Sequence, residues 1–411
     1  MAIDREEWAR RRALRQQQQQ QRKAKNRRLW IRLGIAGAVL VVCGILIVVL
    51  SLRPANPSQD PTSPPPADTV IHLAAAGDLN ITDAVVASGG SAYDYTEIFG
   101  DVAHILADAD IATLNFEGSL QGTPYGTESA SAPQSMMQAL DRAGVDLIQL
   151  ANSYAINHGV SGLADTIDGV RAAGMEPLGV YANEKAYQAG QGYVIRDVGG
   201  IQIAFVAFTK GMDGMALPEG SENCVNVLYE DYSSTYQKVD EAGILRVLNA
   251  ANAQSPDLVV ALLHWGSEFN DTISESQSAI VTLMQDNGVD AIIGTHSHYV
   301  QKMTYNEENG NFVAYSLGDF FGDATRAGSE YSVILDLEIT KSGVTGETRV
   351  TGYSYTPIFT VTDKNAPMRV VRIREAIEAY KGLYIQRVSQ EAYTAMEYAL
   401  ERIAARTSGA G

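Results

Sequence analysis

Six residues able to bind a cation each stand just past a short apolar run. Asp78 follows VIHLAAA (70–76), Glu117 follows IATLNF (111–116) and Asn152 follows VDLIQLA (145–151). His264 follows LVVALL (258–263), and His296 and His298 follow DAIIG (290–294). Carboxylates suit hard cations and imidazoles suit Zn, Mn or Fe, so the set matches what a pair of divalent cations needs. The chain has six histidines, and three of them occupy these positions. The i, i+2 spacing of His296 and His298 puts both on one side of an extended strand end. A single histidine after a strand is ordinarily structural, and a single acid there is ordinarily a cap or loop residue. Their coincidence at five run ends is what points to metal.

These positions make sense only if the runs are strands of one sheet system. IQIAFVAF (201–208) and FVAYSL (312–317) are further runs, and helical spacing fills 95–108, 134–143, 161–173, 235–253 and 274–287. Strand and helix in alternation predict an α/β fold, and runs apolar on both faces predict a sheet covered on both sides. In such a sheet the carboxyl ends of the strands open onto one crevice, where ligands bind. Residues 329–361 read as added antiparallel strands. Residues 366–406 read as one or two helices, with Val370, Val371, Ile373, Ile377 and Tyr380 at helical spacing. The domain is therefore expected over 70–361, with a helical segment over 362–411.

Charge divides the chain in two. The formal total is −17, yet Met1 to Arg32 carries eleven Lys and Arg against three acids. From residue 54 onward, 19 basic residues face 45 acidic ones. Residues 33–52 hold no charge, and twenty helical residues span roughly 30 Å, one hydrocarbon thickness. The stretch is too long for a signal-peptide core and ends without a small-residue cleavage site, so it reads as an uncleaved transmembrane signal anchor. The positive flank places 1–32 in the cytoplasm and the rest outside. A proline-rich linker over 53–69 spaces the domain from the bilayer. The acidic exterior excludes nucleic acid as a partner. With Cys43 in the span and Cys224 alone outside, no disulfide forms within the domain.

Six blocks, Ala76-Gly77-Asp78, Leu114-Asn115-Phe116-Glu117-Gly118, Leu150-Ala151-Asn152, His264-Trp265-Gly266-Ser267-Glu268, Gly294-Thr295-His296-Ser297-His298-Tyr299-Val300-Gln301 and Tyr315-Ser316-Leu317-Gly318-Asp319-Phe320, stand in this order. In order and spacing they resemble the CapA family of poly-γ-glutamate capsule-synthesis proteins, which is similar to the calcineurin-like metallophosphoesterases. The resemblance covers about residues 70–325. It implies a four-layer α/β sandwich, preceded here by the single transmembrane helix, and a dinuclear centre of Mn, Zn or Fe. It also implies work on the export, release or anchoring of an extracellular anionic polymer, poly-γ-glutamate or a cell-wall glycopolymer, beside other capsule-synthesis membrane subunits. On the family's usual partition Asp78 and His298 hold one metal, His264, His296 and Asn152 the other, and Glu117 bridges them.

The chain departs from the family at the third strand end. Ala-Asn-Asn-His-x-x-Asp-x-Gly is usual there, and this chain reads Ala151-Asn152-Ser153-Tyr154-Ala155-Ile156-Asn157-His158-Gly159. Ser153 replaces a metal-touching amide, Tyr154 the proton-donating histidine and Asn157 a carboxylate. Asp319 stands where the last block usually has Asn, and Ser297 where proline separates the two histidines. Metal-assisted hydrolysis would then need Tyr154 or His158 as its acid. A catalytically silent polymer- or partner-binding relative is the alternative, and a phosphodiesterase acting on teichoic or nucleotide substrates is a third reading. Residues 54–141 and 247–301 contain no Lys or Arg, so a polyanion is repelled unless metals invert the local field. Lys210, Lys302 and Arg326 are the expected basic contacts. Trp265 is expected to pack behind His264, and Tyr380, Tyr384, Tyr393 and Tyr398 to serve helix packing.

Overall fold

The computed structural model describes residues 65–362, 367–382 and 388–408. The basic tail, the expected span and the linker up to residue 64 lie outside them. Among the described residues no helix is long and apolar enough to cross a membrane.

Two sheets carry the chain. The first contains β1 (Thr69–Asn80), β2 (Ile111–Glu117), β3 (Leu147–Gln149) and β4 (Glu176–Leu178) as parallel neighbours in that order. On the other side of β1 it continues antiparallel through β12 (Tyr331–Lys341), β13 (Thr348–Val361) and β14 (Arg369–Arg372). The second sheet runs β5 (Tyr193–Val198), β6 (Ile201–Thr209), β7 (Leu258–His264), β8 (Ala291–Thr295), β10 (Phe312–Ala314), β9 (Met303–Tyr305). Of these β6, β7, β8 and β10 are parallel, as the alternating runs predict.

Alternation along the strands divides their side chains between layers. Ile71, Leu73 and Ala75 of β1 meet Ile203, Phe205, Val260, Leu262 and Ile293 in a core between the sheets. The intervening Ala74 and Ala76 face outward onto a second core with α3 (Gln134–Arg142) and α4 (Gly159–Ala172), through Met136, Leu140, Leu163 and Ile167. On the far side Val206, Phe208, Ala261 and Leu263 pack on α6 (Glu241–Asn252) and α7 (Glu275–Gln285), through Ile244, Leu248, Ile280 and Met284. Two sheets back to back with helices outside each give four layers. Each long run has two apolar faces because each sheet is covered twice.

The bottom of the parallel strands is fixed by a repeated device. An aspartate stands immediately before each of β2, β3, β7 and β8. Its carboxylate accepts from a backbone N–H of the neighbouring strand: Asp110 from His72 (2.7 Å), Asp146 from Ala112 (2.8 Å), Asp257 from Gln202 (2.8 Å) and Asp290 from Val259 (2.8 Å). In every case the aspartate's own N–H donates back to the same neighbour's carbonyl, at 2.7–3.0 Å. This two-point clamp sets strand register, and register sets the level at which the opposite ends emerge.

Several expectations need correction. The helix expected over 95–108 is only α2 (Ala103–Ala107). Tyr95, Ile98, Phe99 and Val102 are buried at helical spacing, but 96–102 is a series of turns in which Gly100 and Asp101, both poor helix formers, fall. Val370 and Val371 lie in β14, where β13 offers an edge, rather than in a helix. The segment 362–411 is not separate. Ile373 and Ile377 of α8 (Ile373–Lys381) and Met396, Ala399 and Ile403 of α9 (Gln390–Ser408) bury into the core between the sheets. The strands β4, β5 and β9, and the helices α1 (Asp83–Ser88) and α5 (Glu184–Gly190), carry no expectation above; most are too short to show a period.

Candidate metal centre

At the carboxyl ends of these strands two triads of ligand-type side chains lie buried side by side. Asp78, His298 and Asp319 form one; Glu117, His264 and His296 form the other, and within each triad a ligand atom from every residue lies within 4.8 Å of the rest. All six residues are at most 6% exposed.

Local sequence places each of them. Asp78 and Asn80 share a face of β1, and Asn115 and Glu117 share a face of β2, both by i, i+2 spacing. A bulge between Ala75 and Asp78 sets Asp78 against Asn115 and Asn80 against Glu117. Gly77 is required here, because a Cβ on it would lie 1.7 Å from the Gly318 carbonyl oxygen. That approach, together with the bond from the Asp78 N–H to Gly318 (3.0 Å), lets β11 (Asp319–Phe321) join β1 in parallel, with Asp319 opposite Asp78. In the second sheet His264 ends β7 level with Thr209 and Thr295. His296 and His298 follow β8 with φ of +90° and +58°, a left-handed conformation that costs a side-chain-bearing residue about 1–3 kcal/mol. The His296 N–H donates to Asp78 at 2.8 Å, tying this loop to the first sheet.

The two triads differ electrically. In the first, the His298 Nδ1 is 2.7 Å from an Asp319 oxygen and 4.0 Å from Asp78. Burial opposes charge on His298, but Asp319 outweighs it and raises the imidazole to about 10, so in the metal-free site it carries a proton that a bound cation would displace. Burial pushes the Asp78 and Asp319 carboxyls up. In the second, burial and then the nearby charges of His298 and Lys210 hold His264 and His296 well below the usual range, so both are neutral. Burial and the Asp78 charge push Glu117 well up. Neutral imidazole is the ligating form. The decisive atom is the His296 Nε2, buried without a hydrogen-bond partner among the described residues. A buried polar nitrogen left unpaired costs about 1–3 kcal/mol. A divalent cation would satisfy it and favour the ionised carboxylates, so these residues fit divalent metal.

Asn115 has no place in the sequence-based ligand set, yet its Nδ2 sits between the triads, donating to Asp78 (2.6 Å) and Glu117 (3.2 Å). Its spacing from Glu117 was the available signal. Asp319, met above only as a departure, stands in the first triad; the carboxylate in place of an amide was its signal. Asn152 is buried beside the cluster and spends its amide inside the protein. Its Nδ2 donates to Asn115 (3.0 Å) and to the Phe116 carbonyl (2.6 Å), and its Oδ1 accepts from the Tyr154 N–H (3.0 Å).

The third strand end meets the second triad through Ser153, whose Oγ is 3.1 Å from the His264 Nε2. Tyr154 is pushed up to about 12 by burial, with the charges of Glu117, Glu268 and Asp213 adding to it, so its phenol stays protonated. The His158 Nε2 instead bonds the Ser129 carbonyl at 2.6 Å, away from both triads. Lys210 donates to the Gly266 carbonyl (2.9 Å), lies 4.8 Å over the Tyr236 ring and is lowered by burial. The Arg326 guanidinium lies 4.5 Å over Phe269, which stacks on His298 at 4.8 Å. Lys302 is exposed and, among the described residues, no side-chain contact joins it to the cluster. Trp265 is fully buried behind His264, stacked on Tyr315 and donating to its carbonyl at 2.9 Å. Tyr380 stacks on Tyr393 between α8 and α9, Tyr398 is 57% exposed, and Tyr384 lies outside the described residues.

Residues 72–324 match the family model described as bacterial capsule synthesis protein PGA_cap. The capsule biosynthesis protein CapA of Bacillus anthracis is 26% identical over 258 residues, which cover 61% of this chain and 60% of that one. The PGA biosynthesis protein CapA of Bacillus subtilis (strain 168) is 24% identical over 327 residues, 75% of this chain and 77% of that one. Among solved structures, the calcineurin-like phosphoesterase YfkN of Bacillus subtilis aligns over 81% of this chain and all of its own, with 16% identity and a TM-score of 0.44.

Proposed function

Because the chain belongs to the bacterial capsule synthesis protein PGA_cap family, we propose that it is a membrane-anchored, outward-facing component of capsule or cell-wall polymer assembly with a metal-dependent hydrolytic site. Two buried triads, one carrying an unpartnered His296 Nε2, are the observation that carries the chemistry. Asp78, His298 and Asp319 would hold one cation, and Glu117, His264 and His296 the other. Bound divalent cations, Mn, Zn or Fe, would supply Lewis acidity and an activated water.

The chain's own groups do the rest. Asn115 orients Asp78 and Glu117 from one amide. Lys210 on the side of the second triad and Arg326 on the side of the first offer cationic contacts to an anionic polymer such as poly-γ-glutamate. Tyr154, held protonated, is the phenol placed to give a proton to a leaving group. The apolar run at 33–52 and its basic flank support a reading with the amino terminus in the cytoplasm and the site outside the cell membrane. Other membrane subunits of polymer assembly are the expected partners.

A second reading, a polymer-binding relative without turnover, is favoured by Ser153 against the His264 Nε2 and by His158 facing Ser129. Metal content of the full-length chain in detergent, with turnover of a phosphodiester and of poly-γ-glutamate, separates the two. Bound metal with turnover lost in Glu117→Gln supports the enzyme. Bound metal without turnover leaves the binder, and a protein that takes up no Mn, Zn or Fe sinks both.

A further inference from the structure

The C-terminal helix α9 reaches the candidate centre from outside the segment that matches the family model. Arg406, on its last turn, is only 9% exposed. Among the described residues its ionic contact is a long one, from Nη2 to Asp271 at 3.4 Å, and Nε and Nη1 have no hydrogen-bond partner there. A buried guanidinium so poorly paired is costly to keep. What it does contact is aromatic: its centre lies 4.7 Å from the ring of Tyr299 and 5.7 Å from that of Tyr331.

Tyr299 leads straight to the first triad. It adjoins His298 in sequence, and its ring meets Phe269 edge-on at 6.0 Å. Phe269 stacks on the His298 imidazole at 4.8 Å, and its N–H donates to the Ser297 carbonyl at 2.8 Å. The Tyr299 carbonyl accepts from the Ser297 hydroxyl at 2.8 Å, and its phenol donates to Ala327 at 3.0 Å. His296 and His298, both left-handed, hold that geometry only if the surrounding packing imposes it.

We infer that Arg406 is a positioning residue for the candidate metal centre, fixing His298 through Tyr299 and Phe269. The inference rests on the metal reading above. A cation–aromatic contact of this kind strengthens when it is desolvated, and so favours one loop conformation over others.

The test uses the full-length metal-stripped chain in detergent, titrated with Co²⁺ while its visible absorption is followed. Arg406→Met keeps stem and volume and removes the planar cation. The expected result is that one cobalt-binding step weakens about 10- to 100-fold, as when an outer partner of a ligand is lost, with a changed cobalt band. Tyr299→Leu interrupts the relay with Arg406 intact and should give the same loss; it also serves if Arg406→Met does not fold. The double variant should be no weaker than the weaker single, because both break one pathway. A merely structural role lowers the melting temperature and leaves the cobalt isotherm and spectrum of the folded protein at wild-type values, which would overturn the inference, as would additive losses. A wild-type chain that takes up no cobalt overturns the metal reading itself.

Discussion

The two ends of the parallel strands both carry carboxylates, and they resolve them in opposite ways. At the lower end Asp110, Asp146, Asp257 and Asp290 each find a backbone N–H on the adjoining strand at 2.7–2.8 Å. At the upper end Asp78, Glu117 and Asp319 face one another, with Asn115 as a shared donor, and the second triad keeps an orphaned nitrogen. An acid whose partner is the sheet itself is part of the fold. Acids whose remaining valence points at other acids and at neutral imidazoles await a cation. The difference in partner separates structural from functional carboxylates, and burial runs with it: Asp110 and Asp146 are exposed and Asp257 and Asp290 half-buried, whereas Asp78, Glu117 and Asp319 are buried.

The comparison is sharpest where a ligand of the second triad is removed. His296→Ala should cut affinity for Mn or Zn by on the order of 100-fold or more, read by calorimetry on the full chain, while the metal-free melting temperature holds or rises because the orphaned nitrogen is gone. Unchanged metal affinity would erase the distinction between the ends.

At the lower end the prediction concerns pH. Burial raises Asp290 to about 6 despite the bond from Val259. A carboxyl raised on folding contributes stability fully present below its unfolded value near 3.8 and lost as pH rises through about 6. Asp290→Asn keeps an acceptor for the Val259 N–H and removes the charge. It should therefore match wild type near pH 4 and exceed it by about 1–3 kcal/mol at pH 7.5, measured by denaturant melts at both values. Its metal content should not change.

A smaller effect follows from Asp146→Ala, which leaves the Ala112 N–H without its acceptor. A loss of about 1–2 kcal/mol is expected, with full metal loading once folded; a loss of metal instead would show that the clamps reach the site through register. The smallest is Asp319→Asn. The amide that is usual in the family at this position keeps an oxygen opposite Asp78, so cation affinity should fall by less than about tenfold. A collapse of binding would make Asp319 indispensable.

Much of this was legible in the residues. Strand runs over 70–76, 111–116, 201–208, 258–263 and 290–294 fall within observed strands or one residue beside them, because five or more apolar residues in register leave few alternatives. The aspartates just before or at the start of four runs were equally visible, but their partners are backbone groups of another strand, which no spacing discloses. Asp319 could be seen only as an exception, since β11 is three residues long and pairs with a strand some 240 positions earlier. His158 and Tyr154 lay too close in sequence to choose between; the turn that follows β3 sends one toward Ser129 and the other toward Glu117.

Sequence by itself determined that ligand-type residues sit at the carboxyl ends of parallel strands, because side-chain period and strand direction are local properties. It determined the charge division between tail and exterior as well. Tertiary structure alone decided that Asp319 joins Asp78 and His298, that Glu117 goes with His264 and His296, and that the last helix reaches Tyr299. Those pairings join positions far apart along the chain, and only the register of packed sheets fixes them.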